Sequence, residues 1–138
     1  MKQTIILLLF VIGLASCGSS KKTTREISKS DMIAKWSVET IAGFDKPTTG
    51  LTMSLNLIEN TVSGFAGCNK YSGNAVREDS KISFPLLMNT QMVCEKSDIE
   101  NAYMKALSKV HSFGIKKNIL TFYNQSGKPE ITFTKMSR

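Results

Sequence analysis

Apolar and polar positions alternate most cleanly between Leu51 and Leu57, where Leu51, Met53, Leu55 and Leu57 take every second place and Thr52, Ser54 and Asn56 lie between them. A period of two sends alternate side chains to opposite faces, so this stretch reads as a half-buried strand. Ala34 to Ile41 alternates more loosely, with Trp36 and Val38 set against Ser37 and Glu39, and reads as an opening strand. The turn-rich "AGFDKPTTG" parts the two. Glu59-Asn60 offers a tight turn into a strand from Thr61 to Phe65. Tyr71 to Val76, then "REDS", then "KISF" suggest another hairpin, stopped by Pro85. "LLMNTQMVC" has no clean period and reads as an irregular segment or a short strand.

The period then lengthens. Ile99, Tyr103, Ala106, Leu107 and Val110 share one face of a helix over Asp98 to Val110 that should lie against a sheet. Ser97-Asp98-Ile99-Glu100 is a capping box, with the Ser97 hydroxyl taking the Glu100 amide and the Glu100 carboxylate returning to the Ser97 amide. "SFGI", "ILTFY" and "EITFTK" close the chain as a three-strand meander. About seven short strands and one helix predict an α+β domain with a mostly antiparallel sheet.

The N-terminus sets the compartment. Lys2, the ten-residue apolar run "IILLLFVIGL" and then "LASC" have the layout of a secretory signal peptide, and the run is half the roughly 20 residues of a spanning helix. "LASC" resembles the bacterial lipobox, in which small side chains precede an essential cysteine. Residues 1–16 are the expected signal, and Cys17 is the expected lipidation site, bearing acyl chains such as palmitate. An ordinary cleaved signal with a chance cysteine is the alternative. Residues 17–30, lipidated Cys17 and the polar "GSSKKTTREISKS", form the expected flexible tether, which leaves 31–138 as one domain.

The formal net charge of +7 falls to +6 without Lys2, and Lys21, Lys22, Arg25 and Lys29 in the tether carry much of it. Basic charge beside a lipid anchor fits anionic headgroups. The compartment and the lack of an interleaved basic and aromatic patch disfavour nucleic acid. Once Cys17 is set aside, Cys68 and Cys94 remain, and two thiols in an oxidising compartment usually pair. A Cys68–Cys94 bond closes a 27-residue loop; reduced or redox-active thiols are the alternative.

Catalytic chemistry finds little to work with. A thiol enzyme needs a base, and His111 is the single histidine, just past the predicted helix, where capping or plain exposure explains it. Glu78, Asp79, Glu95, Asp98 and Glu100 are scattered over turns and the helix start. Gly64, Gly67 and Gly73 lack the lysine and hydroxyl of a phosphate loop. Met88 and Met92 could touch soft metals, but core filling is the commoner use. No metal site and no cofactor is expected.

Trp36, "VSGFAGCNKYSGNA", "ISF", "NTQMVC", "IENAYMKALSKV" and "LTFY" follow one another in an order that resembles the META/HslJ-like domain over about residues 32–136. The most specific matches are Gly67, Cys68, Asn69, Tyr71 and Gly73, then Thr90, Met92 and Cys94, then Glu100; Val93 stands where alanine is common. The resemblance implies a twisted antiparallel sheet wrapped around one long helix. It implies no established enzymatic activity. Members are often secreted or lipid-anchored, some with links to stress response.

The expectation is therefore a non-enzymatic lipid-anchored envelope protein, a monomer, that binds or protects another envelope protein or peptide. Gly18 after the lipidated cysteine leans toward the outer membrane and its periplasmic face. A carrier of a small apolar ligand or peptide between sheet and helix is the second expectation, and a thiol enzyme using Cys68 with His111 the third. Gly67, Asn69, Tyr71, Gly73, Thr90 and Met92 are the motif residues with a possible binding role, and Tyr71 is expected to be half-exposed.

Overall fold

The alternating segments become one continuous antiparallel sheet in a computed structural model that describes residues 27–94 and 97–137. The signal, Cys17 and most of the tether lie outside the described residues. In chain order the elements are α1 (Lys29–Met32), β1 (Ile33–Ile41), β2 (Thr52–Asn56), β3 (Thr61–Phe65), β4 (Lys70–Asn74), β5 (Val76–Glu78), β6 (Lys81–Ser83) and β7 (Leu87–Asn89). They continue with α2 (Ser97–Ser108), β8 (Ser112–Lys116), β9 (Ile119–Tyr123) and β10 (Pro129–Lys135). Among the described residues no helix is long and apolar enough to cross a membrane.

The expected α+β arrangement of about seven strands around one long helix is not what forms. Among the described residues the sheet has ten strands, in the order β5-β6-β8-β9-β10-β1-β2-β3-β4-β7, curled into a half-barrel with two short helices. The curl follows from connectivity. β5 and β7 stand at opposite ends of the strand order, yet Ala75 alone separates β4 from β5, and three residues separate β6 from β7. Two ends tied so closely must bend toward each other.

Ala75 is fully buried and its amide donates to the Asn60 carbonyl at 2.9 Å, so the chain turns there and leaves one end of the sheet for the other. The hairpin expected from Tyr71 to Phe84 is thus two pairings: β4 lies between β3 and β7, and β5 pairs with β6. Alternation is a property of one strand and does not name its neighbour, and three-residue strands are too short to show a period. α2 has 12 residues over Ser97–Ser108, where Asp98 to Val110 is expected; it packs on β1 and β10, and its Tyr103 meets Tyr71 of β4.

Those side chains form a single core. Trp36, Met53, Leu55, Ile82, Leu120, Phe122, Ile131 and Phe133 are almost entirely buried, and Phe122 packs edge-on to Phe133 with centroids 5.2 Å apart. Burying one such side chain contributes about 1.5–3 kcal/mol. The Trp36 indole N–H has no hydrogen-bond partner among the described residues. The closing meander pairs as its pattern predicts, β8 with β9 and β9 with β10. Ile27 and Met32 pack against the core, so ordered contacts begin inside the segment expected to be tether.

Candidate functional site

The turn between β3 and β4 is where the sequence motif concentrates. Gly67 has φ of +102°, a left-handed conformation that disfavours any side chain. Gly64 and Gly73 serve a different need, space. A Cβ on Gly64 would sit 2.0 Å from the Thr52 carbonyl oxygen and 2.7 Å from the Tyr71 ring, and one on Gly73 would sit 2.0 Å from the Leu86 carbonyl oxygen. Their absence of side chain lets Tyr71 lie under β3 and lets residue 86 approach β4.

Asn69 joins three segments. Its Oδ1 accepts from the Met92 amide at 2.8 Å and from the Thr90 hydroxyl at 2.7 Å, and its Nδ2 donates to the Met92 carbonyl at 3.2 Å. On its other side, the Asn69 amide and Nδ2 both donate to the Glu100 carboxylate at 3.1 Å, and Asn89 Nδ2 adds a longer bond at 3.3 Å. Asn69 and Glu100 are buried. A buried carboxylate needs such donors, because an unpaired one is strongly destabilising. The Glu100 side chain therefore faces Asn69 and Asn89. The other half of the expected capping box, the Ser97 side chain, lies outside the described residues.

Cys68 and Cys94 are joined as a disulfide, with Cα atoms 6.0 Å apart. Both ends of the segment from β7 to Cys94 are thus fixed to the turn, one by the bond and one by Asn69. Joined cysteines leave the reading of a Cys68–His111 thiol enzyme without its nucleophile. His111 is exposed, its amide donating to the Tyr123 carbonyl and its carbonyl accepting from Ile82. No group of three or more metal-ligating side chains gathers among the described residues.

Tyr71 is not half-exposed. It is buried, and its hydroxyl shares a 2.8 Å hydrogen bond with the Tyr103 hydroxyl and reaches the Thr52 carbonyl at 3.2 Å. Burial raises both phenols well above the usual tyrosine range. The sequence could not foresee this depth, since the space for Tyr71 is made by Gly64 on the next strand. Tyr103, Ala106 and Leu107 from α2 fill the inner face opposite it. Among the described residues, that filling counts against the carrier reading.

The motif residues are thus a framework, and what they hold outward is different. β7 pairs with β4 on one side only, among the described residues, so its outer backbone edge is open. Met88 is 63% exposed, Met92 65% and Val93 fully exposed. Met92, picked from the motif, earns its place through its backbone, and its side chain is free. Beside them Phe65, Lys70, Ser72 and Met88 line an open depression of about 640 Å³ across β3, β4 and β7. Sequence reasoning passed over Met88 as core filling and did not consider Val93 for binding; a run without period in "LLMNTQMVC" was the available signal.

The chain belongs to the META domain family, whose family model matches residues 31–137. It is similar to a protein from Burkholderia xenovorans solved by NMR, with 26% identity and a TM-score of 0.58 over 76% of this chain and 83% of that one. A crystal structure of a DUF4847 family protein from Bacteroides vulgatus ATCC 8482 shares the fold at 14% identity, with a TM-score of 0.57 over 78% of this chain and 95% of that one. No curated protein matches the chain by sequence.

Proposed function

We propose that this chain is a non-enzymatic, lipid-anchored protein of the cell envelope whose META domain takes up an extended apolar segment of another envelope protein along β7. The observation that carries the reading is the open, apolar edge of β7, with Met88, Met92 and Val93 exposed, fixed from behind by Asn69, Glu100 and the Cys68–Cys94 bond. An open strand edge offers a row of backbone donors and acceptors that another extended chain can match, while side-chain pockets supply selectivity. Methionine adapts its shape to varied apolar partners. Holding the edge rigid in advance lowers the ordering cost of binding.

The lipobox resemblance of "LASC" supports an anchor at Cys17, and Gly18 supports the outer membrane with the domain on its periplasmic face. A role under stress fits a surface suited to segments that partner proteins expose when they loosen. A photo-crosslinking residue at Met88 of the full chain in growing cells tests the reading, with the same residue at Gln125 as control. Capture at position 88 of an extended apolar stretch in an envelope protein, identified by peptide mapping and weakened by Val93→Asp, is the expected result. Equal capture at both positions, or turnover of a defined substrate lost on one polar substitution, overturns it.

A further inference from the structure

The end of the half-barrel opposite the signature turn carries a second surface, and strand register assembles it. The Lys135 amide donates to the Asn118 carbonyl, the Met136 amide donates to the Lys35 carbonyl, Ile33 pairs with Asn56, and Asn56 pairs with Thr61. The β8–β9 turn, the end of β10, the start of β1 and the β2–β3 turn therefore stand side by side. Adjacent strands lie about 4.8 Å apart, so these turns form one continuous rim.

That rim mixes two kinds of side chain. Ile33, Ile58, Ile119 and Met136 are each more than two-fifths exposed. Lys29, Lys35, Lys116 and Lys117 are exposed among them, and none is in an ion pair among the described residues. Lys135 is already paired with Asp31 at 2.7 Å, and Glu59 is the carboxylate of the β2–β3 turn. The rim is therefore basic and apolar at once. The chain also reaches the domain here, because Ile27 and α1 lead into β1, and the ten residues before Ile27, from Cys17 to Glu26, add Lys21, Lys22 and Arg25.

We infer that this rim is a membrane-docking face, which seats its isoleucines and Met136 in the interface of an anionic bilayer while the lysines meet lipid headgroups. Entry of the chain at the same end and a net positive charge, with Lys29, Lys35, Lys116 and Lys117 against Glu59, select a lipid surface over other occupants. Each lysine near an anionic leaflet contributes favourably, and the apolar side chains add burial at the headgroup boundary. Docking of this end turns the open edge at Met92 and Val93 away from the membrane. The inference rests on the anchored reading for its local concentration of lipid, though not for its contacts.

The test uses the full chain as cells process it, reconstituted into vesicles of phosphatidylethanolamine with phosphatidylglycerol or with phosphatidylcholine. Ile58→Trp and, separately, Met136→Trp report contact through quenching by brominated lipid, with Val93→Trp as control and Trp36 too buried to respond. Expected is a blue shift and quenching at positions 58 and 136 in phosphatidylglycerol vesicles, absent at 93. Both signals should be lost in phosphatidylcholine, at about 1 M salt, where screening reaches about 3 Å, and on combined charge reversal of Lys29, Lys35, Lys116 and Lys117.

Anchored protein without that quenching, or with equal quenching at 93, overturns the docking face and leaves the anchor standing. A blue shift that needs no lipid and grows with protein concentration assigns the rim to a second copy, and also overturns it. If mass spectrometry finds Cys17 without lipid, the anchored reading fails. The docking face is then decided by mixing the protein with the same anionic vesicles at low salt, where quenching at 58 sustains it and its absence ends it.

Discussion

The two ends of the half-barrel differ in how their polar and apolar groups are used. At the signature turn, Asn69, Thr90, Glu100, Tyr71 and Tyr103 bond to one another and to backbone, and a disulfide binds the same segment. At the tether end, Ile33, Ile58, Ile119 and Met136 are exposed beside Lys29, Lys35, Lys116 and Lys117, which are in no ion pair among the described residues. Most motif side chains are spent on one another, with Met92 the exception, and the large apolar side chains left exposed lie mostly outside the motif. A strongly marked sequence motif can therefore locate the framework of a protein and leave most of its exposed apolar surface unmarked.

The largest test of this contrast is reduction of the Cys68–Cys94 bond. Opening its 27-residue loop is expected to cost about 3.5 kcal/mol from chain entropy, read as a lower urea midpoint in reductant. Asn69→Ala comes next, at about 2–4 kcal/mol, because it leaves the buried Glu100 carboxylate short of donors. The double substitution with Glu100→Ala should then cost clearly less than the sum of the singles, since both remove one network. Additive costs would mean that the two side chains are not coupled.

Tyr103→Phe is expected to cost about 1–2 kcal/mol by removing one side of a buried hydroxyl pair. The tyrosines also set an alkaline limit. Their folded pKa values lie above the unfolded value of about 10, so they stabilise fully below that pH and lose the contribution as pH rises through the folded range. Denaturation between pH 9 and pH 11 should show a shallower decline in Tyr103→Phe than in the parent.

Asp31 gives the smaller, opposite dependence at the tether end. Burial pushes its carboxyl up, but hydrogen bonds from Lys135 and Ser28 outweigh that and hold it below the usual range. A lowered folded pKa means stability present above about pH 4 and lost as pH falls through the folded value. With partial exposure on both sides, the pair is expected to contribute about 0.5–1 kcal/mol, which Asp31→Asn removes together with the acid dependence. The combined reversal of Lys29, Lys35, Lys116 and Lys117 should change stability least, within about 0.5 kcal/mol for each exposed position. A large loss of stability there would mean that the rim is structural and erase the contrast between the ends.

Strand existence was legible where alternation ran long enough. β2 was expected from Leu51 to Leu57 and forms over Thr52–Asn56, and the closing meander forms almost residue for residue. β5 was not legible as a strand separate from β4, and β7 was legible only as an irregular segment or a short strand, because three residues without flanking alternation do not display a period. At the candidate site, the identity of Asn69, Tyr71, Thr90 and Met92 was readable and their roles were not. Asn69 reaches Glu100 across 31 positions, and Met92 takes part through backbone while its side chain stays free.

By itself the sequence determined the alternating faces, the amphipathic stretch that becomes α2, the family resemblance and the pair of cysteines available for a bond. These are properties of neighbours along the chain, set by side-chain period and type. Only the tertiary structure decided that ten strands share one curled sheet, that Ala75 sends the chain from one end of it to the other, and that Gly64 makes room for a buried Tyr71. Which turns stand together at each end was decided there too, because hydrogen bonds between strands join residues far apart in the chain, and no local pattern encodes the partner.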